Sequence, residues 1–347
     1  MTIRVLGLGT SSPAGGVVGV SCRGHHHVDV GGVCGREGTP ITEDTCFDLA
    51  SVTKVVGTTS MLHRLAALGE IGLDDRVRRY IPWAADVTLR TLAYHRSGLW
   101  EWQPLYLSSE SPLGTIEHLP LRYAVDKERH YSDLGFIIAG LVIQAVTGTT
   151  LDVAFEDLVA FPVGLTHTRY GPIAGPTASG GIGDTVEKEM VSRGVPYPIL
   201  LNNPAFPWRT GEVHGVANDG NAYHCFRGVA GHAGLFSHAG DLLLLMDSFI
   251  REDLWGRETT ADIFTEGPDK GQAFGWRTMT VGFQGKSRQM VWHGGFTGCA
   301  IGFIPGECAV VMLTNRLLAP NPTDTVDLWK MTLGCLGRDL SDKGVCR

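Results

Sequence analysis

The sequence predicts an α/β (α+β) protein in which an antiparallel sheet flanked by helices is built from both chain termini. Two valine-rich runs lie near the start, helical patterns begin near residues 49 and 132, and three apolar runs precede a last helical pattern. We therefore expect residues 1–75 and 235–347 to form the α/β domain and residues 76–234 a mainly helical, loop-rich insertion. An active site between them would lie in a cleft.

The first predicted element is a β-hairpin in the segment GGVVGVSCRGHHHVDVGGVCG, residues 15–35, which Arg23 and Gly24 interrupt. The three consecutive histidines at 25–27 suggest a metal site at first sight. Because adjacent strand residues point to opposite faces, at most two of them can share one ligand. No carboxylate or cysteine partner lies nearby in the sequence, so we expect a solvated turn and no metal.

The second element is a helix that begins in LASVTKVVGTTSML, residues 49–62. Ser51 and Lys54 stand three positions apart and therefore share a helix face, and Gly69 stands where a helix cap is expected. Burial would remove hydration from an unpaired lysine and lower its pKa toward neutrality, so that it becomes a base. A serine hydroxyl within reach of such a base is a candidate nucleophile.

The third element is a helix over SDLGFIIAGLVIQAVTG, residues 132–148, which Ser132 or Asp133 can cap and Gly148 can end. Tyr131 precedes this helix, and its hydroxyl can project into a cleft beside the first helix. The following tract, 171–240, is rich in Gly, Pro and Asn, and connections of that length are usually functional or hold short elements.

The last elements are two or three antiparallel strands in RQMVWHGGFTGCAIGFIPGECAVVMLTNR and a closing helix in TDTVDLWKMTLGCL. Gly294 and Gly295 lie inside the strand pattern, where glycine marks the close approach of another backbone or of a ligand.

Composition excludes several classes of function. The net charge of −7 provides no electrostatic footprint for nucleic acid or an acidic membrane surface. No stretch approaches the 18 apolar residues that span a bilayer, and the first residues do not resemble a signal peptide. The eight cysteines form no C-x-x-C pair, so we expect reduced, mostly buried thiols and a cytoplasmic protein. No cofactor is expected.

The motifs S-V-T-K, Y-S-D and H-G-G follow one another with gaps of 80 and 162 residues between Ser51, Tyr131 and His293. In this order they resemble S-x-x-K, Y-x-N and K-T-G or H-x-G of the penicillin-recognising serine hydrolases, which include class C β-lactamases, low-molecular-weight DD-peptidases and family VIII carboxylesterases. The resemblance covers nearly the whole chain from about residue 15 and implies a β-lactamase/transpeptidase-like fold.

The resemblance implies a role for each matching residue. Ser51 would form the acyl-enzyme, Lys54 would be its base, and Tyr131 would pass a proton to the leaving group. The backbone N–H groups of Ser51 and Phe296 would form the oxyanion hole, where each donor can contribute about 3 kcal/mol. The candidate substrate-binding residues are Asp133, His293, Gly294 and Gly295, together with His232 and Trp208 from the long tract.

Three features depart from the family pattern. Asp133 replaces asparagine, and an ionised carboxylate cannot donate a hydrogen bond to an acylamino carbonyl. His293 replaces lysine and is a weaker anchor for a carboxylate. Both changes favour neutral short-chain esters over penicillins. Because only about a dozen residues precede the first strand, the helix that usually starts this fold is not expected.

The leading functional hypothesis is a serine acyl hydrolase or acyltransferase that acts on a small-molecule ester or amide by a Ser-Lys-Tyr mechanism. Its partners would be the acyl substrate and an acyl acceptor. One alternative is a transacylase that passes the acyl group to an amine or alcohol, and another is a β-lactamase or DD-peptidase. A non-enzyme alternative is a catalytically silent binding module. The oligomeric state is left open.

Overall fold

The computed structural model describes residues 11–193, 205–251 and 254–343, and its centre is a six-stranded antiparallel sheet. The strands within these described ranges are, in chain order, β1 Gly15–Cys22, β2 His25–Gly32, β3 Phe47–Asp48, β4 Arg169–Tyr170, β5 Leu235–Ser237, β6 Arg277–Phe283, β7 Lys286–Gly294, β8 Ala300–Ile304 and β9 Cys308–Thr314. The large sheet has the order β2-β1-β9-β8-β7-β6, so β1 pairs with β9 and joins the two ends of the chain.

A smaller sheet of three short strands, in the order β3-β5-β4, lies next to the first functional motif. β3 ends at Asp48, and the Leu49 N–H donates to the Leu235 carbonyl over 2.9 Å. This pairing fixes the backbone immediately before Ser51 against the segment that follows the long tract.

The described helices are α1 Ser60–Ala67, α2 Leu89–Ala93, α3 Pro112–His118, α4 Asp133–Thr147, α5 Leu151–Phe155, α6 Phe161–Val163, α7 Thr185–Ser192, α8 Ala239–Arg251, α9 Arg257–Phe264 and α10 Thr325–Lys343. Before α1, a 3₁₀ turn (Ala50–Val52) and a wide π-helical turn (Lys54–Thr59) run directly into the helix. Single π turns of this kind are frequent at functional sites.

Helices cover both faces of the large sheet. α8 packs on one face, where Gly19 lets Leu243 approach so closely that an added Cβ would lie 3.1 Å from its side chain. α10 packs on the other face, where Trp329 stacks on Trp292 with the ring centres 6.2 Å apart. The predicted α/β class with an antiparallel sheet flanked by helices is therefore confirmed.

Most individual elements match the sequence prediction. The hairpin turns at Arg23 and Gly24, both with positive φ, and Ser132 caps α4 by accepting the Gly135 N–H over 3.1 Å. β6 was not predicted. The prediction that the usual first helix of this fold is missing concerns residues 1–10, which lie outside the described residues.

The three consecutive histidines are the first residues of strand β2, so the expectation that they form a turn is wrong. His26 lies 2.8 Å from Oδ2 of Asp247 on α8, a carboxylate distant in sequence that also accepts the Ser21 hydroxyl. His25 and His27 are exposed. His26 is thus part of a polar contact between the hairpin and α8.

The cysteines differ in part from the prediction. Cys34, Cys46, Cys225, Cys299, Cys308 and Cys335 are not disulfide-bonded. Cys22 at the end of β1 is disulfide-bonded, so the expectation of reduced thiols is wrong for this residue.

Within the described ranges, no single helix is both long and apolar enough to cross a membrane. The pair Asp133–Thr147 and Leu151–Val163 meets the length and composition test only when taken together, and it is bent by 80°.

Candidate active site

Ser51 stands in a tight turn between β3 and the π-helical segment. Ala50 before it has φ +45°, a left-handed value that a residue with a Cβ rarely adopts. The Asp48 carboxylate accepts the Ala50 N–H over 2.8 Å and so holds this turn. Backbone strain of this kind is typical of functional positions. The turn leaves Ser51 half-buried at the edge of a cavity.

Lys54 is fully buried and has three oxygen partners. Its Nζ lies 3.0 Å from the Ser51 hydroxyl and 3.1 Å from the His232 carbonyl, and it donates to both. It also forms an ion pair with the Asp133 carboxylate, where the Nζ–Oδ1 distance is 2.7 Å. The sequence therefore correctly placed Ser51 and Lys54 on one face, but Lys54 is not an unpaired lysine.

The ion pair overturns the expected direction of the Lys54 pKa. Burial disfavours the ammonium, but the Asp133 carboxylate and the Tyr131 side chain outweigh burial and raise the pKa of Lys54 above its ordinary value. The expectation of a depressed pKa was wrong because it counted desolvation and omitted this carboxylate. Lys54 is an ammonium at neutral pH.

Tyr131 reaches the same centre from the residue before the α4 cap. Lys54 Nζ lies 5.1 Å from the centre of its ring, and the Tyr131 hydroxyl interacts with both Ser51 and Lys54. His95 packs on the ring with the centres 4.4 Å apart. Burial raises the pKa of Tyr131, with Lys54 acting in the opposite direction, so its hydroxyl keeps its proton at neutral pH.

His232 and Trp208 do not occupy the positions that were expected for substrate contacts. The His232 side chain is 1% exposed, and its Nε2 lies 2.9 Å from Asp219 Oδ1. Trp208 packs on Tyr106 and Phe206. Neither side chain lines the cavities described below. His232 instead contributes its carbonyl oxygen to Lys54.

The H-G-G segment ends β7 against the turn that holds Ser51. A Cβ on Gly295 would lie 2.4 Å from the Leu49 carbonyl oxygen, so only glycine allows this approach. Phe296 follows, 43% exposed. No described residue accepts a hydrogen bond from the backbone N–H of Ser51 or of Phe296. The role of these two N–H groups as an oxyanion hole stays a prediction.

Ser51 opens into a cavity of about 780 Å³. Its apolar wall includes Trp102, Ile182, Val186, Met190, Phe296, Leu317 and Leu318, and its charged lining comprises Arg36, Asp133, Asp184, Glu187, Glu189 and Asp219. Part of the predicted functional tract, 182–190, thus forms a wall of the site. Trp102 and Asp219 line this cavity and were not among the residues predicted from the sequence.

A second cavity of about 340 Å³ lies on the other side of Tyr131, along the end of β7. Its charged lining comprises Arg129, Arg277, Arg316 and Asp324, and His293 also lines it. Burial together with Arg277 lowers the pKa of Arg129. Among the described residues, no carboxylate forms an ion pair with Arg129 or Arg277, whose guanidinium groups instead contact the Gln272 side chain and the Trp292 ring.

His293 is 2% exposed, and neither ring nitrogen has a hydrogen-bond partner among the described residues. Burial, with Lys54 and Arg277, lowers the pKa of His293 well below its ordinary value. His293 is therefore neutral at pH 7, and the positive charge beside it comes from arginines that the sequence analysis missed. Arg277 could have been found only from strand register, because it pairs with Trp292, next to His293.

One group of side chains outside both cavities has the composition of a metal site. Ligand atoms of His167, His238 and Asp241 lie within 4.8 Å of one another. However, His238 Nδ1 accepts the Asp241 N–H and caps α8. A metal on Nε2 would require a proton on Nδ1 and would break this bond, so the present arrangement favours the cap.

Comparisons with known proteins agree with the geometry. The sequence model of the family described as Beta-lactamase matches residues 10–332. A putative D-alanyl-D-alanine carboxypeptidase of Escherichia coli K12 is 31% identical over 326 residues, which cover 84% of this chain and 73% of that protein. A class C beta lactamase from Rhodobacter sphaeroides has a similar fold, with a TM-score of 0.69, 19% identity and coverage of 93% and 95% of the two chains. EstCE1, a hydrolase with promiscuous acyltransferase activity, has a TM-score of 0.64 at 24% identity, with coverage of 87% and 89%.

Proposed function

Because this chain belongs to the Beta-lactamase family, we propose that it is a serine acyl hydrolase that cleaves a small ester or amide through Ser51. One observation carries the proposal. The Ser51 hydroxyl lies 3.0 Å from a fully buried Lys54 at the edge of a large cavity, with Tyr131 in contact with both. A silent binding module has no need of a buried lysine at a serine hydroxyl, because burying it is costly.

The chemistry follows from these positions. Ser51 Oγ attacks the acyl carbon and gives up its proton to the buried pair of Lys54 and Asp133, and the N–H groups of Ser51 and Phe296 stabilise the oxyanion. The protonated Tyr131 hydroxyl, which lies between the two cavities, gives a proton to the departing oxygen or nitrogen. Water then attacks the acyl-enzyme and releases the acid.

The second cavity supports a leaving group that carries an anion. Arg129 and Arg277 present guanidinium groups without a described ion-pair partner, and the neutral His293 ring, whose centre lies 6.3 Å from that of Tyr131, lines the same cavity. Guanidinium groups bind carboxylates by charge-assisted hydrogen bonds. These arginines supply the charge that His293 lacks. We therefore revise the expected preference for neutral esters toward esters or amides with a carboxylate on the leaving group.

The test compares two esters with the same acyl group, one whose leaving group is a 2-hydroxy acid and one whose leaving group is the methyl ester of that acid. The wild type should prefer the free acid. Arg277→Ala and Arg129→Ala should each reduce kcat/KM for the free acid about tenfold or more and leave the methyl ester nearly unchanged. Equal losses on both esters would contradict the anion site, and an inactive wild type with unlabelled Ser51 would contradict the hydrolase.

Transfer of the acyl group to an amine or alcohol is the second candidate. The apolar wall of the larger cavity, which includes Trp102, Ile182 and Met190, is suited to exclude water from the acyl-enzyme. The structural neighbour EstCE1 is a hydrolase for which promiscuous acyltransferase activity is described. Mass spectrometry of an acylated enzyme mixed with amines and alcohols distinguishes transfer, which leaves the acyl group on the acceptor, from hydrolysis, which yields only free acid.

A further inference from the structure

The ion pair between Lys54 and Asp133 leaves the resting enzyme without a lone pair at Nζ. Nζ donates to Ser51 Oγ and to the His232 carbonyl at 3.0 and 3.1 Å, and it forms an ion pair with Asp133 Oδ1 at 2.7 Å. An ammonium with this coordination cannot accept the Ser51 proton. The centre therefore needs a second acceptor, and Asp133 is the carboxylate in contact with Nζ.

We propose that Asp133 acts through Lys54 as a positioning residue and as the final acceptor of the Ser51 proton; this rests on the proposed function. Nζ first gives one proton to Asp133 Oδ1, which becomes a neutral carboxylic acid. The amine so formed turns about the Cε–Nζ bond and takes the proton of Ser51 Oγ as the bond from Oγ to the acyl carbon forms. The carbonyl π pair moves to the oxygen, so the negative charge passes from Asp133 to the oxyanion.

Collapse of the oxyanion restores the starting protonation states of Lys54 and Asp133. When the oxyanion collapses, the bond to the leaving group breaks, and a proton moves from Lys54 through the Tyr131 hydroxyl to the departing atom. Asp133 returns its proton to Lys54, which restores the ion pair. No further acid, base or metal enters, and the relay uses only groups already in contact with Nζ or with its partners.

The residues around Lys54 and Asp133 favour the charged state of this ion pair. Asp133 is 16% exposed and Lys54 is fully buried, so a carboxylate and an ammonium at 2.7 Å interact more strongly than they would in water. The other titratable groups that border Lys54 or act on it are Tyr131, His95, His232, Asp219 and His293. Burial lowers the pKa of His95 and of His293 well below the ordinary value, so neither imidazole competes for the proton.

The pH dependence of the rate of Ser51 modification distinguishes this relay from a mechanism in which Lys54 must itself be neutral. In the relay, Asp133→Asn removes the final acceptor, so Ser51 is activated only where Lys54 has itself lost a proton, and the acid limb moves upward. If a neutral Lys54 were required instead, the limb would lie at high pH, and Asp133→Asn would move it downward because the carboxylate that holds the ammonium is gone. The two mechanisms predict shifts of opposite sign.

The experiment measures the rate at which a fluorophosphonate modifies Ser51 from pH 5 to pH 10, which does not depend on knowing the substrate. With Asp133→Asn we expect the acid limb to move up by at least about one pH unit, a tenfold or greater loss at the lower pH. Asp133→Glu, which keeps a carboxylate, should keep the limb near its wild-type position even if the absolute rate falls. Asp262→Asn removes a half-buried carboxylate paired with Arg90 and serves as the matched control. A limb that stays in place or moves down in Asp133→Asn overturns the relay, whereas a wild type that is not modified at Ser51 overturns the proposed function instead.

Discussion

Gly295→Ala tests how the end of β7 positions the oxyanion hole. The added Cβ would lie 2.4 Å from the Leu49 carbonyl oxygen and 3.4 Å from the Ala50 Cβ. Because the first atom belongs to backbone that β5 holds by the Leu49 N–H, no side-chain rotation relieves the clash. Ordinary contact requires a shift of about 1 Å, and a misplacement of that size at a reacting centre costs about 100-fold in rate. We expect kcat to fall by about that factor.

The assay is turnover of an activated ester together with the thermal unfolding midpoint. Gly294→Ala is the matched control, because its added Cβ would meet Trp292 and Thr325 at the ordinary distances of 3.4 and 3.5 Å. We expect this variant to lose less than about tenfold in kcat, in line with a small local adjustment. If Gly295→Ala retains kcat within about threefold of the wild type at an unchanged unfolding midpoint, the contact between Gly295 and the Leu49 carbonyl does not position the two N–H donors.

Three further predictions address single residues. Peptide mapping after fluorophosphonate treatment should find the label on Ser51 alone and none in Ser51→Ala, and a label on another serine would contradict the assignment. Tyr131→Phe should lower kcat by about 10²- to 10⁴-fold, the usual contribution of a proton donor, measured on an ester whose leaving group needs protonation; a near-normal kcat would exclude this role. Burial raises the pKa of Asp48 to about 6, against about 3.9 in an unfolded chain. The stability from this shift is fully present below pH 4 and is lost as pH rises through 6, so the unfolding free energy should fall by up to about 3 kcal/mol over that range. Asp48→Asn should remove this fall in urea unfolding curves, and an identical pH slope in both proteins would show that Asp48 is not its source.

The elements with strong local signals were predictable from the sequence. The α4 helix has a capping serine, a long apolar run and Gly148 with φ +68° at its end, and each of these is a local property of the chain. β6 was missed although Met279, Val281 and Phe283 alternate with Thr280 and Gly282, which are exposed. This alternation is short and indicates only a half-buried strand, and pairing with β7 completes it. Cytoplasmic location stays a prediction that the fold does not test.

Some site residues follow from local sequence, and others come together only in the tertiary structure. Ser51 and Lys54 belong to one helical segment, so their contact follows from local spacing. The ion pair of Lys54 with Asp133 depends on how two distant helices meet, and a pKa argument from one segment therefore had the wrong sign. Arg129 and Arg277 come together from positions 148 residues apart in the chain, and no single motif contains both.

The two substitutions in the family motifs fit a single arrangement of charge. Arg277 and Arg129 already place two cations beside position 293, and Lys54 is a third cation that acts on it. A lysine at that position would be a fourth positive charge in a buried site, which repulsion and desolvation both disfavour, whereas neutral His293 adds none. At the other end of the site, Asp133 in place of asparagine balances the Lys54 ammonium. The positive charge is therefore concentrated on the arginine side of Tyr131, and under the function proposed above it would select for the leaving group rather than for the acyl group.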